Sequence, residues 1–149
     1  MSESKDIKMW FRRIRDEQKE ISHLQEMITG MEMSLLPKAI TYDKDKVQVS
    51  PDDRFGEVCA KITDYQEVLG RSIVKLKARQ ILAEQMIASL EDMKEREVMR
   101  YYYLTTDKGQ VLTWRQVAIR MNYYEQYVKR IHGRAIEKLS KRYNISKNL

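Results

Sequence analysis

Three features of this 149-residue chain predict an all-α fold. Glycine is scarce and proline occurs only at Pro37 and Pro51, so little interrupts long helices. Apolar residues recur every seven positions through two long segments. After them the pattern changes to short amphipathic helices separated by turn residues. The architecture expected is a long antiparallel helical (coiled-coil) hairpin followed by a helix-turn-helix domain.

The first helix is expected over residues 6–35. Ile7, Ile14, Ile21, Ile28 and Leu35 form its heptad seam, with Trp10, Leu24 and Met31 at the companion position and Glu17 interrupting it. Such a repeat keeps one stripe facing a partner helix. Gly30 weakens the helix and Pro37 stops it, because proline biases Leu36 out of the helical region. The polar connection over about 36–52 is expected to be partly mobile. "SPDD" then reads as a helix start: Ser50 caps, Pro51 takes the first position, and Asp52 and Asp53 favour the positive end of the dipole.

The second helix is expected from Pro51 to Met93. Phe55, Ile62, Leu69, Leu76, Ala83 and Leu90 repeat by seven. Val58, Tyr65, Met86 and Met93 accompany them, Ser72 and Arg79 break the pattern, and Ile73 and Ile87 widen the stripe. At 1.5 Å per residue the two helices would be about 45 and about 60 Å long. The stripe exceeds what one partner helix covers, so residues 1–93 are expected to form an oligomerisation or partner-binding region, with a homo-oligomer, preferably a dimer, as the simplest outcome.

Residues 94–149 form the second expected domain. "KEREVMRYYYL" predicts a short helix with Val98, Met99, Tyr102 and Tyr103 inward. "TTDKGQVL" is a turn marked by Asp107 and Gly109. Thr113 caps a helix burying Val117, Ala118 and Met121. Asn122, which tolerates the left-handed conformation, ends it. The last helix runs from about Glu125 to Tyr143, with Val128, Ile131, Ala135, Ile136 and Leu139 inward. Two helices across a short turn, the second long and basic, make a helix-turn-helix.

Charge follows the same division. Residues 1–93 hold 15 Lys and Arg against 17 Asp and Glu, a net −2, whereas residues 94–149 hold 13 against 5, a net +8. A polyanion partner is therefore expected for the C-terminal part alone. No run of about 18 apolar residues suggests a membrane span, and the N-terminus lacks an apolar signal core, so a cytoplasmic location is expected. Cys59, the single cysteine, agrees with a reducing compartment. No catalytic set, metal site or cofactor motif is found. His23 and His132 lack ligand partners at metal spacing, and His132 is expected at the surface or on a phosphate. An enzyme is not expected.

"TWRQVAIRMNYYEQYVKRIHGRAIEKL" (residues 113–139) resembles, without a gap, the helix-turn-helix of region four of bacterial sigma-70 factors. Thr113, Val117, Ala118, Met121, Val128, Ile131, Ala135, Ile136, Lys138 and Leu139 fall on that family's positions. Arg96-Glu97 matches the pair leading into its preceding helix. Asn122 stands where the family has a turn glycine, Tyr124 replaces the usual Ser/Thr cap, and Gly133 is an unusual guest in a helix. The hairpin joined to this motif is similar to phage and prophage proteins of the ArpU and RinA types, regulators of late-gene transcription. The resemblance implies double-stranded DNA as partner. Docking of the second helix in the major groove puts Glu125, Gln126, Lys129 and Arg130 at base edges. Thr113, Arg115, Tyr127, Arg134, Lys138, Lys141 and Arg142 are expected at phosphates. Two alternatives remain open: a small-terminase-like DNA-packaging protein, and a protein-binding mimic of sigma region four that grips RNA polymerase. RNA polymerase or another phage or host protein could also dock on the hairpin.

Overall fold

The computed structural model describes residues 2–36 and 52–143. The expected connection, Pro37, and the helix start at Ser50 and Pro51 lie outside the described residues. The protein is mostly helical, with a long antiparallel helix pair followed by a helix-turn-helix domain. Helix α1 spans Ser2–Leu35 and α2 spans Asp52–Ala88. Then follow α3 (Met93–Met99), a π-helical turn (Arg100–Leu104), two short strands β1 (Thr106–Asp107) and β2 (Gln110–Val111), α4 (Trp114–Met121) and α5 (Glu125–Arg142). The chain forms two compact units, one from Met1–Glu20 and Lys75–Leu149, the other from Ile21–Val74.

In the unit of Ile21–Val74 the heptad seam is only partly closed. Ile21, Ile28 and Ile62 are buried, while Leu24, Met31, Leu35, Val58, Tyr65, Leu69 and Ile73 are half-buried. Phe55, expected on the seam, is exposed, as is Val68. A single partner helix covers a narrow stripe, and these side chains fall outside it.

In the other unit α1 buries Ile7, Phe11 and Ile14, α2 buries Leu76, Ala83, Met86 and Ile87, and Leu90 is buried just beyond its end. Phe11, one residue off the expected companion position, is fully buried, whereas Trp10 is half-buried. The ion pair between Arg79 Nε and Glu17 Oε1 at 2.8 Å explains how both seam interruptions are tolerated: the two polar residues meet each other.

The second helix stops at Ala88 rather than continuing to Met93, and Met93 is exposed. Its end is tied off locally. The Ser89 hydroxyl donates to Met86 O (2.6 Å), and Arg96 Nη1 donates to the carbonyls of Leu90 (2.6 Å) and Glu91 (2.9 Å). Asp92 then starts α3, its side chain accepting from Lys94 N at 2.8 Å. A cap at Asp92 is incompatible with a helix running through it.

The helix expected over 94–104 is α-helical only to Met99 and widens into a π-turn over Arg100–Leu104. There the Thr105 hydroxyl donates to Arg100 O (3.0 Å), taking over a carbonyl the helix end leaves open. The expected turn is a miniature hairpin, Thr106 opposite Val111 and Asp107 opposite Gln110. Lys108 (φ 53°) and Gly109 (φ 79°) at its tip are both left-handed, which suits a two-residue loop between twisted strands.

The helix-turn-helix follows expectation closely. Thr113 and Gln116 form a reciprocal capping box at the start of α4. Asn122 adopts the left-handed conformation (φ 58°, ψ 45°), and Tyr123 N donates to Ala118 O at 3.0 Å to close the helix. The core of the domain joins Val98, Leu112, Val117, Ala118, Val128 and Ile131, with Tyr101, Tyr102, Trp114, Met121, Tyr123 and Tyr127 packed around it. Helix α5 buries Val128, Ile131, Ala135, Ile136 and Leu139 as expected, and also His132 and Ser140. A Cβ on Gly133 would meet nothing within 4 Å, so packing does not require that glycine.

Candidate nucleic-acid interface

Helix α5 is positioned by its apolar side, and this aims its opposite side outward. Val128 and Ile131 sit fully buried in the domain core, so Lys129 and Arg130 between them, and Glu125 and Gln126 before them, face solvent. Glu125, Gln126, Lys129 and Arg130 are all exposed. Gln126 and Arg130 lie one turn apart on one face. Lys129 Nζ lies 3.4 Å from Glu125 Oε1, an exposed pair that solvent screens.

The residues expected at phosphates divide into three groups. Thr113 and Arg115 are exposed at the start of α4, and Arg134 is exposed on α5. The Thr113 hydroxyl oxygen accepts from Gln116 N at 3.2 Å, which leaves its proton to donate. Tyr127 is half-buried beside Tyr123 (ring centroids 5.1 Å apart, edge-on), and its hydroxyl lies 3.4 Å from Lys94 Nζ. That bond first, then the nearby rings, raises the Lys94 pKa.

The third group lies along the rest of α5 and is engaged by the protein itself. Lys138 Nζ donates to both carboxylate oxygens of Glu95 at 2.8 and 3.0 Å. Glu95 is only 1% exposed, so Lys138 neutralises a buried charge that ties α5 to α3. Arg142 Nη1 donates to Ser89 O beyond the end of α2. Lys141 stands 3.7 Å from Glu137 on the exposed face. Lys138 and Arg142 thus fix where α5 sits, as well as adding positive charge along it.

His132 is not at the surface. It is 5% exposed, its Nε2 lies 2.7 Å from the Tyr103 hydroxyl, and Trp114 and Tyr102 meet it edge-on at 4.8 and 5.8 Å. Burial first, then the charges of Lys8 and Arg15, lowers its pKa to about 4, so the ring is neutral at physiological pH. Burial likewise raises the Tyr103 hydroxyl pKa far above its usual value. The spacing of His132 from Val128 (four residues), Ala135 (three) and Leu139 (seven) is the available signal: it places the ring on the inward stripe.

Sequence reasoning also missed the basic face of α1. Lys5, Lys8, Arg12, Arg15 and Lys19 follow a three-four spacing, one stripe along a helix. The net negative tally of residues 1–93 conceals it. Arg15 is 9% exposed, and its Nη1 donates to Tyr102 O (2.6 Å) and Leu112 O (2.8 Å). Its guanidinium carbon lies 3.7 Å from the centroid of the Tyr102 ring. Tyr102 in turn stacks on Trp114 at 3.7 Å and 11°.

Capped α4, a left-handed turn at Asn122, and a long α5 with an inward apolar and an outward basic side define a helix-turn-helix of the DNA-binding class. Consistent with this, residues 87–141 match the family model of sigma-70, region 4. The match begins in the last turn of α2 and ends near the end of α5. Comparison with the curated proteins and with the solved structures finds no match. Duplex DNA is the ligand that a region-4 helix-turn-helix implies. Among the described residues no helix is long and apolar enough to cross a membrane.

Proposed function

We propose that the protein is a sequence-specific DNA-binding regulator of transcription, of the phage and prophage late-gene type, which reads the major groove with the first turns of α5. One observation carries this reading: within the segment that matches sigma-70 region 4, Gln126 and Arg130 are exposed on one face of α5, opposite a fully buried Val128 and Ile131. Gln126 suits the N6 and N7 edge of adenine, and Arg130 the O6 and N7 edge of guanine. Thr113, Arg115 and Arg134 would set register on phosphates, with Lys141 adding charge along the backbone. The test is selection from a randomised duplex library with the full chain. A defined motif of a few base pairs supports the reading, and uniform enrichment of all sequences counts against it.

A homo-oligomer, preferably a dimer, accompanies this function. Along α2 Val68 and Val74 in one unit, and Ile81 and Leu82 in the other, remain exposed, and a second copy could cover them. Light scattering at micromolar concentration checks it: a dimer fits a regulator of two half-sites, a larger ring favours the DNA-packaging alternative, and a monomer removes self-association.

A further inference from the structure

We propose that the cleft between the first turns of α1 and the helix-turn-helix core is a phosphate-binding site, separate from the base-reading face of α5. The cleft has a volume of about 170 Å³ and is lined by Lys8, Arg12, Arg15, Asp16 and Lys19 of α1, with Tyr102, Tyr103, Trp114 and His132 behind them. Four of the lining groups are cations and one is a carboxylate. The two tyrosines and the neutral imidazole add no charge, so the cleft carries a net positive charge of three at physiological pH.

A second observation is that Arg15 has no direct ionic partner among the described residues, the Asp16 carboxylate of the same cleft acting on it only from beyond ion-pair distance. Arg15 is nine-tenths buried, and among the described residues no carboxylate stands within ion-pair distance of it. Two carbonyls and the Tyr102 ring hold it, and these position a guanidinium without neutralising it. A buried cation without a direct ionic partner is costly, and an anion that enters the cleft relieves that cost. Lys8, Arg12 and Lys19 are exposed, so the way in is open to solvent.

Size and donor type select the anion. Pockets for whole drug-sized ligands run from about 300 Å³ upward, so this volume suits one or two phosphate groups rather than an entire nucleotide. Guanidinium and ammonium donors along one helix suit the tetrahedral oxygens of phosphate, and the aromatic side chains supply a rigid, poorly hydrated wall. The phosphate could be free or could belong to a DNA backbone, and the proposal concerns the group common to both.

The experiment uses the full chain and inorganic pyrophosphate at low ionic strength, followed by calorimetry and by tryptophan fluorescence, with Trp10→Phe as the background that isolates Trp114. Wild type should bind with a fluorescence change. Lys8→Gln combined with Arg12→Gln, both exposed positions, should lower affinity about tenfold or more while leaving the melting temperature unchanged. Lys75→Gln combined with Lys77→Gln, an equal loss of charge on α2, should leave binding intact. Displacement of pyrophosphate by duplex DNA would assign the site to a backbone phosphate, and simultaneous binding would assign it to a free phosphate. Either supports the proposal. No binding to wild type, or equal binding by wild type and the α1 double variant, overturns it. Arg130→Ala separates this from the reading of α5: it should alter duplex preference and leave pyrophosphate affinity unchanged.

Discussion

The helix-turn-helix unit contains two clusters built from the same kinds of residue, a cation among aromatic rings, and they are in opposite physical states. At the turn, Lys94 lies 5.6 and 5.8 Å from the rings of Tyr123 and Tyr127. It is fully exposed to water, and its pKa is raised, chiefly by the bond to Tyr127. Beside α1, Arg15 lies 3.7 Å from Tyr102 and is buried, and its pKa is lowered, chiefly by desolvation. Solvent decides the sign. Where water remains, the rings and hydroxyl stabilise the cation at little cost to the fold. Where water is lost, the same contacts no longer offset what burial takes away, and the structure itself depends on the cluster. Changes to the exposed cluster and its neighbours on α5 should therefore act on DNA, and changes to the buried one on stability.

The largest expected effect comes from removing the apolar wall of the buried cluster. Phe11 is fully buried and lies 5.1 Å from the Tyr103 ring and 5.0 Å from Trp10. Phe11→Ala should destabilise the unit by about 3–5 kcal/mol through lost transfer energy and a cavity. Urea unfolding followed by near-ultraviolet dichroism reads it. A change under about 1 kcal/mol would mean that the start of α1 is not part of this core, and the contrast between the clusters would fail.

Acid tests the same cluster by another route. The folded His132 pKa is about 4, below its unfolded value of about 6.5. Above about 6.5 the ring is neutral in both states, and its contribution to stability is fully present. As pH falls from about 6.5 towards 4 the unfolded chain takes up a proton that the folded chain refuses, so stability drops by about 3 kcal/mol in all. Below 4 both states are protonated and this loss stops. His132→Phe should remove that part of the pH dependence. A stability profile equally steep in the variant would show that the imidazole is not the group responsible.

On the exposed side, Arg130→Ala or Gln126→Ala should leave stability within about 0.5 kcal/mol of wild type, because neither contributes to the core. Each should cost about 1–3 kcal/mol of DNA affinity at its own base pair and relax the preference there. Lys141→Ala should weaken all sequences alike and reduce the salt slope by about one. Affinities on a site library distinguish the two patterns. If Arg130→Ala weakened every sequence equally while Lys141→Ala shifted the preferred one, the docking of α5 would be reversed.

The same contrast separates what the sequence reveals from what only the folded chain brings together. Local rules carried far: Thr113 as a cap, Asn122 as a left-handed turn and the inward stripe of α5 each follow from a few neighbouring residues. What was not legible depends on partners remote in sequence. Lys138 reaches Glu95 across 43 residues, and Arg15 reaches Leu112 across 97. No periodicity announces such pairs. A charge total averaged over residues 1–93 likewise hides a basic stripe that only a helical projection of α1 reveals. The early end of α2 was legible in principle, since Asp92 before "KERE" is a strong start signal, but the heptad continuing through Leu90 and Met93 outweighed it.

The smallest effect sharpens the comparison at the level of the two helices that make the motif. Helix α4 begins with a complete capping box, whereas α5 begins at Tyr124, whose side chain makes no capping bond. Tyr124 is 87% exposed, so its ring contributes little packing to be lost. Its backbone is already extended (φ −76°, ψ 147°), the conformation a capping serine adopts. Tyr124→Ser should therefore supply an acceptor to the open N–H groups of the first turn and stabilise the domain by about 0.5–1 kcal/mol, read as a raised melting temperature. The same change lies beside Glu125 and Gln126, so duplex affinity should be measured with it. A gain in stability together with weaker DNA binding would indicate that the exposed ring itself contacts the duplex. No gain in stability would mean that the first turn of α5 is already satisfied by water, and that the sigma-like cap is dispensable here.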